Sequence, residues 1–329
     1  YVIVDGLKPK ELLDFDEAKR IPLMPSITST KEILENHTGK KIFWFEGQRF
    51  IWSMMMMNGV PFSTVACGGS VACSAFSLVY KLGFSRIILV GQDLALTGNK
   101  THADGTFKSI MDEIDTSRCI KVPGNYEEEV PTRGDFKLYL DWFNYYIKGC
   151  EGIHVINATE GGAKIDNTEI MTLHDAIMRE CIKEVDIDAC FEKLKPIFNA
   201  EQQHKALEYL KTFPEMYRKL KKKVIKLNKE YQKLKTICGK SIIDKNAYLK
   251  ALKNIKNLTQ EIENHELYDT ISCTLTVANY IIESEQFYEE DTVAAEGLQI
   301  AKQGIAYTKM VEQCIDLFMP LTEETLLTL

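Results

Sequence analysis

Three polar, glycine-bearing loops carry the residue types that chemistry needs. Gly68-Gly69-Ser70 opens a helical pattern. Backbone without Cβ atoms lets a ligand come close, the first N–H groups of a helix can hold a phosphate, and Ser70 is both a cap and a hydroxyl donor. Gly91-Gln92-Asp93 leaves the C-terminal end of the apolar run 87–90. A carboxylate there can bind a ribose, hold Mg²⁺ beside phosphates, or act as a base. The same polar stretch runs on to Thr101-His102-Ala103-Asp104-Gly105, where an imidazole that titrates near neutrality can serve as acid or base. Asn157-Ala158-Thr159-Glu160-Gly161-Gly162 repeats the pattern of carboxylate plus flexible backbone after the run 154–156. Each loop also has a plainer reading. Gly68–Ser70 can be a tight turn, Asp93 a cap, His102 a solvated loop residue, and Glu160 part of a turn toward the next segment. Asp5, before Gly6, is a further carboxylate at a strand end.

These loops need a scaffold, and residues 1–178 supply its pattern. Short β-rich runs (1–5, 21–24, 41–45, 64–67, 86–90, 119–122 and 154–157) alternate with helical stretches. Several runs are continuously apolar, as expected of strands covered on both faces. A helix is predicted over 30–36 with a Thr cap, another over 70–82 ending at Gly83, and a third over 132–148. The third carries Phe136, Leu140, Phe143 and Ile147 and stops at Gly149. Alternating β and α elements imply a mostly parallel sheet, with ligands at the carboxyl ends of its strands. The loop after Pro123-Gly124, with Tyr126 and the acids 127–129, is placed to act as a flap or simply to be solvated. Met54–Met57, with Trp44, Phe50 and Trp52 nearby, reads as core packing.

From residue 179 onward the pattern is helical. Leu220, Val224, Leu227, Tyr231 and Leu234 repeat at 4-3-4-3 spacing, a seam for helix packing closed by Gly239. Tyr248, Leu252, Ile255 and Ile262 mark a second helix. Further ones are predicted over 269–290 and 293–318, the last stopped by Pro320. Charge is segregated. Residues 218–256 are lysine-rich with Glu230 and Asp244 as the acids, while 257–329 are acidic with Lys302 and Lys309 as the bases. The expected outcome is pairing between helix faces. The sharper alternative is a basic stripe for an acidic partner. The fold class expected is therefore α/β: a Rossmann-like, mostly parallel sheet domain over 1–178, followed by an α-helical bundle domain over 179–329.

Bulk properties narrow the function. The chain has 329 residues, 45% hydrophobic, with net charge −7, which argues against nonspecific nucleic-acid binding. Nine cysteines without CxxC pairs fit reduced thiols and a cytoplasmic location. No apolar run reaches the ~18 residues of a membrane span. There is no zinc-ligand spacing, P-loop, GxGxxG fingerprint or GxSxG elbow. The chain opens inside an apolar run, Tyr1-Val2-Ile3-Val4, so the sheet domain is expected to lack an upstream, N-terminal part.

Taken in order, CGGSVACSAF (67–76), LVGQDLALTGNKTHADGT (89–106) and INATEGGAKI (156–165) resemble the motility accessory factor family. That family shares its central domain with archaeal 6-hydroxymethylpterin diphosphokinases. The resemblance covers residues 1–178 and implies a domain similar in architecture to bacterial sialyltransferases. It implies a glycosyltransferase that moves a nonulosonic acid from a CMP-activated donor to Ser or Thr of flagellin, serving flagellum assembly and motility. By the same resemblance, Gly68, Gly69 and Ser70 would contact the nucleotide phosphate, and Asp93, His102 and Glu160 would line the transfer site. Gln92, Thr101, Gly161 and Gly162 would complete the donor pocket. No tightly bound cofactor is expected beyond the CMP-sugar donor, and a divalent metal is left open. The family's glycine-proline-serine loop after its first strand is absent and is expected upstream of Tyr1. Two rivals remain. One is an Mg²⁺-dependent diphosphokinase acting on a pterin alcohol. The other is a non-enzymatic, flagellin-binding chaperone.

Overall fold

The computed structural model describes residues 1–4, 10–96, 119–272, 275 and 292–328. The expected strand end at Asp5, the loop residues Thr101, His102, Asp104 and Gly105, and most of the helix predicted over 269–290 lie outside the described residues. The fold is α/β with parallel strand pairing, joined to a large helical portion. Two compact units divide it: Tyr1–Glu46 with Ser63–Lys195, and Gly47–Phe62 with Pro196–Leu329.

In the first unit, β1 (Val2–Ile3) pairs in parallel with β2 (Met24–Pro25), and parallel bridges Leu23–Lys41 and Ser26–Trp44 extend that ladder. A second parallel sheet carries the functional loops. β3 (Arg86–Leu89) pairs with β6 (His154–Asn157), and β6 pairs with β7 (Glu169–Ile170). The apolar character of β3 and β6 suits a sheet covered by helices. α4 (Val71–Lys81) runs into β3 through the turn at residues 82–85, so its N-terminus lies toward the carboxyl ends of the strands. α5 (Gly134–Lys148) leads back to β6 and buries Leu140, Phe143 and Ile147. Phe143 meets Phe76 of α4 edge-on at 5.7 Å. The shorter helices α1 (Asp16–Arg20) and α2 (Lys31–Asn36) precede this core. α6 (Leu173–Glu180) and α7 (Ile187–Glu192) close the unit.

Several expectations change. Residues 64–67 form no strand; Val65 N–H donates to Phe45 O at 3.1 Å, but no ladder follows. Thr132 does not begin a helix. It ends β5 (Val130–Thr132), which pairs antiparallel with β4 (Ile120–Val122), so Tyr126 and the acids 127–129 form the turn of a hairpin. Pro131 can sit in this short ladder because its neighbour needs no donor from it.

The second unit packs α8 (Ala200–Leu210), α9 (Phe213–Cys238), α10 (Lys245–Glu263) and α11 (Val293–Leu327). Leu220, Val224, Leu227 and Leu234 are buried along α9, facing Ile255, Leu258 and Ile262 of α10 and Ala301, Val311 and Ile315 of α11. Segregated charge becomes cross-helix pairing: Lys221 to Asp316 at 2.6 Å, Arg218 to Glu323 at 2.6 Å, and Lys223 to Glu261 at 3.0 Å. Pro320 does not stop α11. A proline removes one N–H and disturbs the preceding turn, and a long, packed helix absorbs that loss.

α3 (Arg49–Met57) belongs to this unit rather than to the sheet. Arg49 N–H donates to Asp269 Oδ2 at 3.0 Å, and Phe50 meets Phe213 edge-on at 5.5 Å. Of its methionines, Met55 is buried while Met56 and Met57 are exposed, so only part of 54–57 packs as core. The division at 195/196, against the expected 178/179, follows from α6. Arg179 holds Glu169 of β7 with both outer nitrogens at 2.8 Å, which ties the helix to the sheet. Composition changes before this tie ends.

Candidate functional site

β3 and β6 end side by side, at Leu89 and Asn157. The loops that leave them are knitted together residue by residue. Ala158 N–H donates to Leu89 O at 2.9 Å, and Gln92 N–H donates to Thr159 Oγ1 at 3.1 Å. Ala163 N–H donates to Asp93 O at 2.7 Å. Gly162 is left-handed, with φ of 74°, and a Cβ there would collide with the Asp93 carbonyl. Only glycine fits that approach without a shift.

A third strand pair adds a wall. Asn125, in the β4–β5 turn, donates its N–H to Gly162 O at 2.9 Å and its amide Nδ2 to Gly161 O. Asn157 is fully buried; its Nδ2 donates to Asn125 Oδ1 at 3.2 Å and its Oδ1 accepts from Thr159 N at 3.2 Å. Buried Thr132 donates to Leu94 O at 2.7 Å. Leu94 itself has φ of 49° and Glu160 has φ of 62°. Such left-handed residues cost energy and persist where their surroundings fix them, as these hydrogen bonds do.

Gln92, Asp93, Glu160, Gly161 and Gly162 are thus brought into one cluster at the carboxyl edge. The Asp93 carboxylate is half-buried and, among the described residues, has no hydrogen-bonding or ionic partner. Burial pushes its carboxyl above the usual carboxylate range. Glu160 differs. Its Oε1 accepts the Leu173 N–H of α6 at 2.7 Å, and the side chain is exposed.

The Gly68–Ser70 loop is built for packing as well as for exposure of its backbone. A Cβ on Gly68 would run into the Trp142 indole of α5, which occupies the space left open. Ser70 Oγ caps α4 by accepting from Cys73 N at 3.3 Å. No hydrogen bond among the described residues joins this loop to Asp93. The two share a core, because Cys73, Leu94, Ala95 and Ala163 pack in one apolar cluster. Cys73 is buried with a thiol pushed up by that burial, which makes it packing rather than nucleophile.

Sequence reading missed Asn125, Asn157 and Thr132 as organisers of the site. The available signal was weak: an Asn at the end of an apolar strand, and an Asn after Pro-Gly. A cleft of about 720 Å³ beside α5, lined by Asp141, Lys148 and Lys164 among others, contains none of the expected site residues. Among the described residues, no cluster of three His, Cys, Asp or Glu suits a metal ion, and no helix is long and apolar enough to cross a membrane.

Residues 1–99 match the family model described as 6-hydroxymethylpterin diphosphokinase MptE-like. No curated protein matches the chain. A solved structure of the MAf glycosyltransferase from Magnetospirillum magneticum AMB-1 is similar with a TM-score of 0.46 and 10% identity. The similarity covers 99% of this chain and 47% of that one, so the chain spans about half that protein's length.

Proposed function

We propose that the α/β unit is the transfer domain of a glycosyltransferase, moving a nonulosonic acid from a CMP-activated donor to a Ser or Thr hydroxyl of flagellin. The observation that carries this reading is the half-buried Asp93 carboxylate, without a partner among the described residues, held at the carboxyl edge of parallel strands by a second glycine loop. Open α/β sheets bind ligands at that edge. A carboxylate with a raised pKa is a better proton acceptor than an ordinary one. In the proposed inverting step, Asp93 takes the proton of the acceptor hydroxyl. The hydroxyl oxygen then forms a bond to the anomeric carbon as the bond from that carbon to the CMP phosphate oxygen breaks, and CMP leaves with the electron pair. His102 is the alternative base. Backbone N–H groups at the start of α4, beside Gly68, Gly69 and Ser70, would stabilise the departing phosphate, as a helix N-terminus does for anions. Gln92, Gly161, Gly162 and Thr101 would line the donor pocket.

A second reading is favoured by the family description matched over residues 1–99: pyrophosphate transfer from ATP to a pterin alcohol, with Mg²⁺ held at Asp93. Nucleotide preference separates the two. Thermal stabilisation of the full-length protein by CMP or CTP but not by ATP supports sugar transfer, and the reverse preference supports the kinase. Absence of stabilisation by any nucleotide favours a non-enzymatic, flagellin-binding role. Transfer of labelled sugar to flagellin is the direct test of the first reading. That reading fails if Asp93→Asn and His102→Ala both leave transfer intact.

A further inference from the structure

Two carboxylates stand at the carboxyl edge of β3 and β6, and their surroundings differ. Asp93 has no partner among the described residues, whereas Glu160 is engaged. Its Oε1 receives the N–H of Leu173, the first residue of α6 and one of the four helix donors that the helix itself cannot satisfy. Thr172 caps the same first turn, its Oγ1 accepting from Asp175 N at 3.1 Å. A carboxylate at a helix N-terminus also meets the favourable end of the helix dipole.

The backbone at Glu160 is arranged for this contact. The left-handed conformation at φ of 62° turns the chain sharply. It is held on one side by Asn157 through Thr159 N–H, and on the other by Asn125 through the carbonyls of Gly161 and Gly162. The far end of α6 is independently fixed. Arg179 grips Glu169 of β7, and Glu180 pairs with Arg86 of β3 at 2.8 Å. Glu160 therefore ties the 158–163 loop, on which Asp93 leans through Ala163 N–H, to a helix already anchored to the sheet.

We propose that Glu160 is a positioning residue, an external cap of α6 that sets the loop supporting Asp93, and not a proton acceptor in the reaction. This assignment rests on the reading of Asp93 as the transfer base.

The test compares Glu160→Gln, Glu160→Ala and Asp93→Asn in the full-length protein, by sugar transfer from the CMP-activated donor and by amide hydrogen exchange at Leu173 and Ala163. Glutamine keeps an oxygen that can accept the Leu173 N–H; alanine does not. Glu160→Gln is expected to retain transfer within ~3-fold and to keep Leu173 protection. Glu160→Ala is expected to speed exchange at Leu173 by ~10-fold, about one hydrogen bond's worth, and to lower transfer. Loss of transfer in Glu160→Gln as deep as in Asp93→Asn, with Leu173 still protected, would overturn the assignment. So would unchanged Leu173 exchange in Glu160→Ala. If instead Asp93→Asn keeps full activity, or the wild-type protein moves no sugar, the reading of the site fails, and the exchange arm alone decides whether Glu160 caps α6.

Discussion

In the helical unit the stabilising contacts repeat. Leu220, Val224, Leu227 and Leu234 enter one core at regular spacing, and lysines of α9 meet acids of α10 and α11 again and again. In the α/β unit the decisive contacts occur once each. Asn157 meets Asn125, Gly162 admits the Asp93 carbonyl, and Glu160 reaches Leu173. A repeating arrangement that loses one member loses stability but keeps its geometry, because its neighbours do the same work. A singular one does not, and among the described residues it leaves Asp93 half-buried without a partner, the kind of place where a fold keeps chemistry rather than stability.

That contrast makes the two units respond differently to substitution. The largest effect is expected in transfer: Asp93→Asn should lower the rate by ~100-fold or more, in the range of general-base loss, while the protein stays folded. Next come changes in stability. Leu227→Ala should cost about 2–5 kcal/mol in chemical denaturation, as for other buried leucines, and leave nucleotide affinity unchanged. Gly162→Ala should cost about 2–4 kcal/mol, through its left-handed backbone and the collision with Asp93, and should also weaken nucleotide binding. If Gly162→Ala were as silent at the nucleotide site as Leu227→Ala, the two regions would not differ as described.

A smaller effect has a defined sign. Asp93 has a raised folded-state pKa, so its protonated form is favoured by folding; that contribution is present below the unfolded carboxylate value and is lost as pH rises through the folded value. Asn cannot ionise. The stability of Asp93→Asn relative to wild type should therefore rise as pH goes from acid to neutral, read from denaturation midpoints across that range. Smallest of all, Lys221→Ala should cost ~0.5 kcal/mol and lose even that at high salt, since its pairs with Asp316 and Glu312 lie at the surface.

The same contrast decided how much the sequence disclosed. Local and periodic features were legible: the α9 seam, the cap at Ser70, the apolar strands β3 and β6, and the charge pairing between helices. Gln92, Asp93 and Glu160 were found as strand-end residues because a polar group after an apolar run stands out. How they differ was not, because Asp93 and Glu160 look alike in sequence, and only the fold half-buries one and hands the Leu173 N–H to the other. Asn125 sits 32 residues from its partner Asn157, and no local pattern links them. α3 read as sheet-domain sequence because the contacts that draw it to the helical unit, to Phe213 and Asp269, are more than 150 residues away. Pro320 misled for a different reason: its local preference is real, and packing along the rest of α11 outweighs it.

The account turns on Asp93 as the reacting carboxylate of the α/β unit. Its most direct test is the rate of sugar transfer from the CMP-activated donor to flagellin by full-length Asp93→Asn, measured beside wild type with CMP affinity determined for both. A fall of ~100-fold or more with CMP affinity retained is the predicted result. Transfer at the wild-type rate would contradict it.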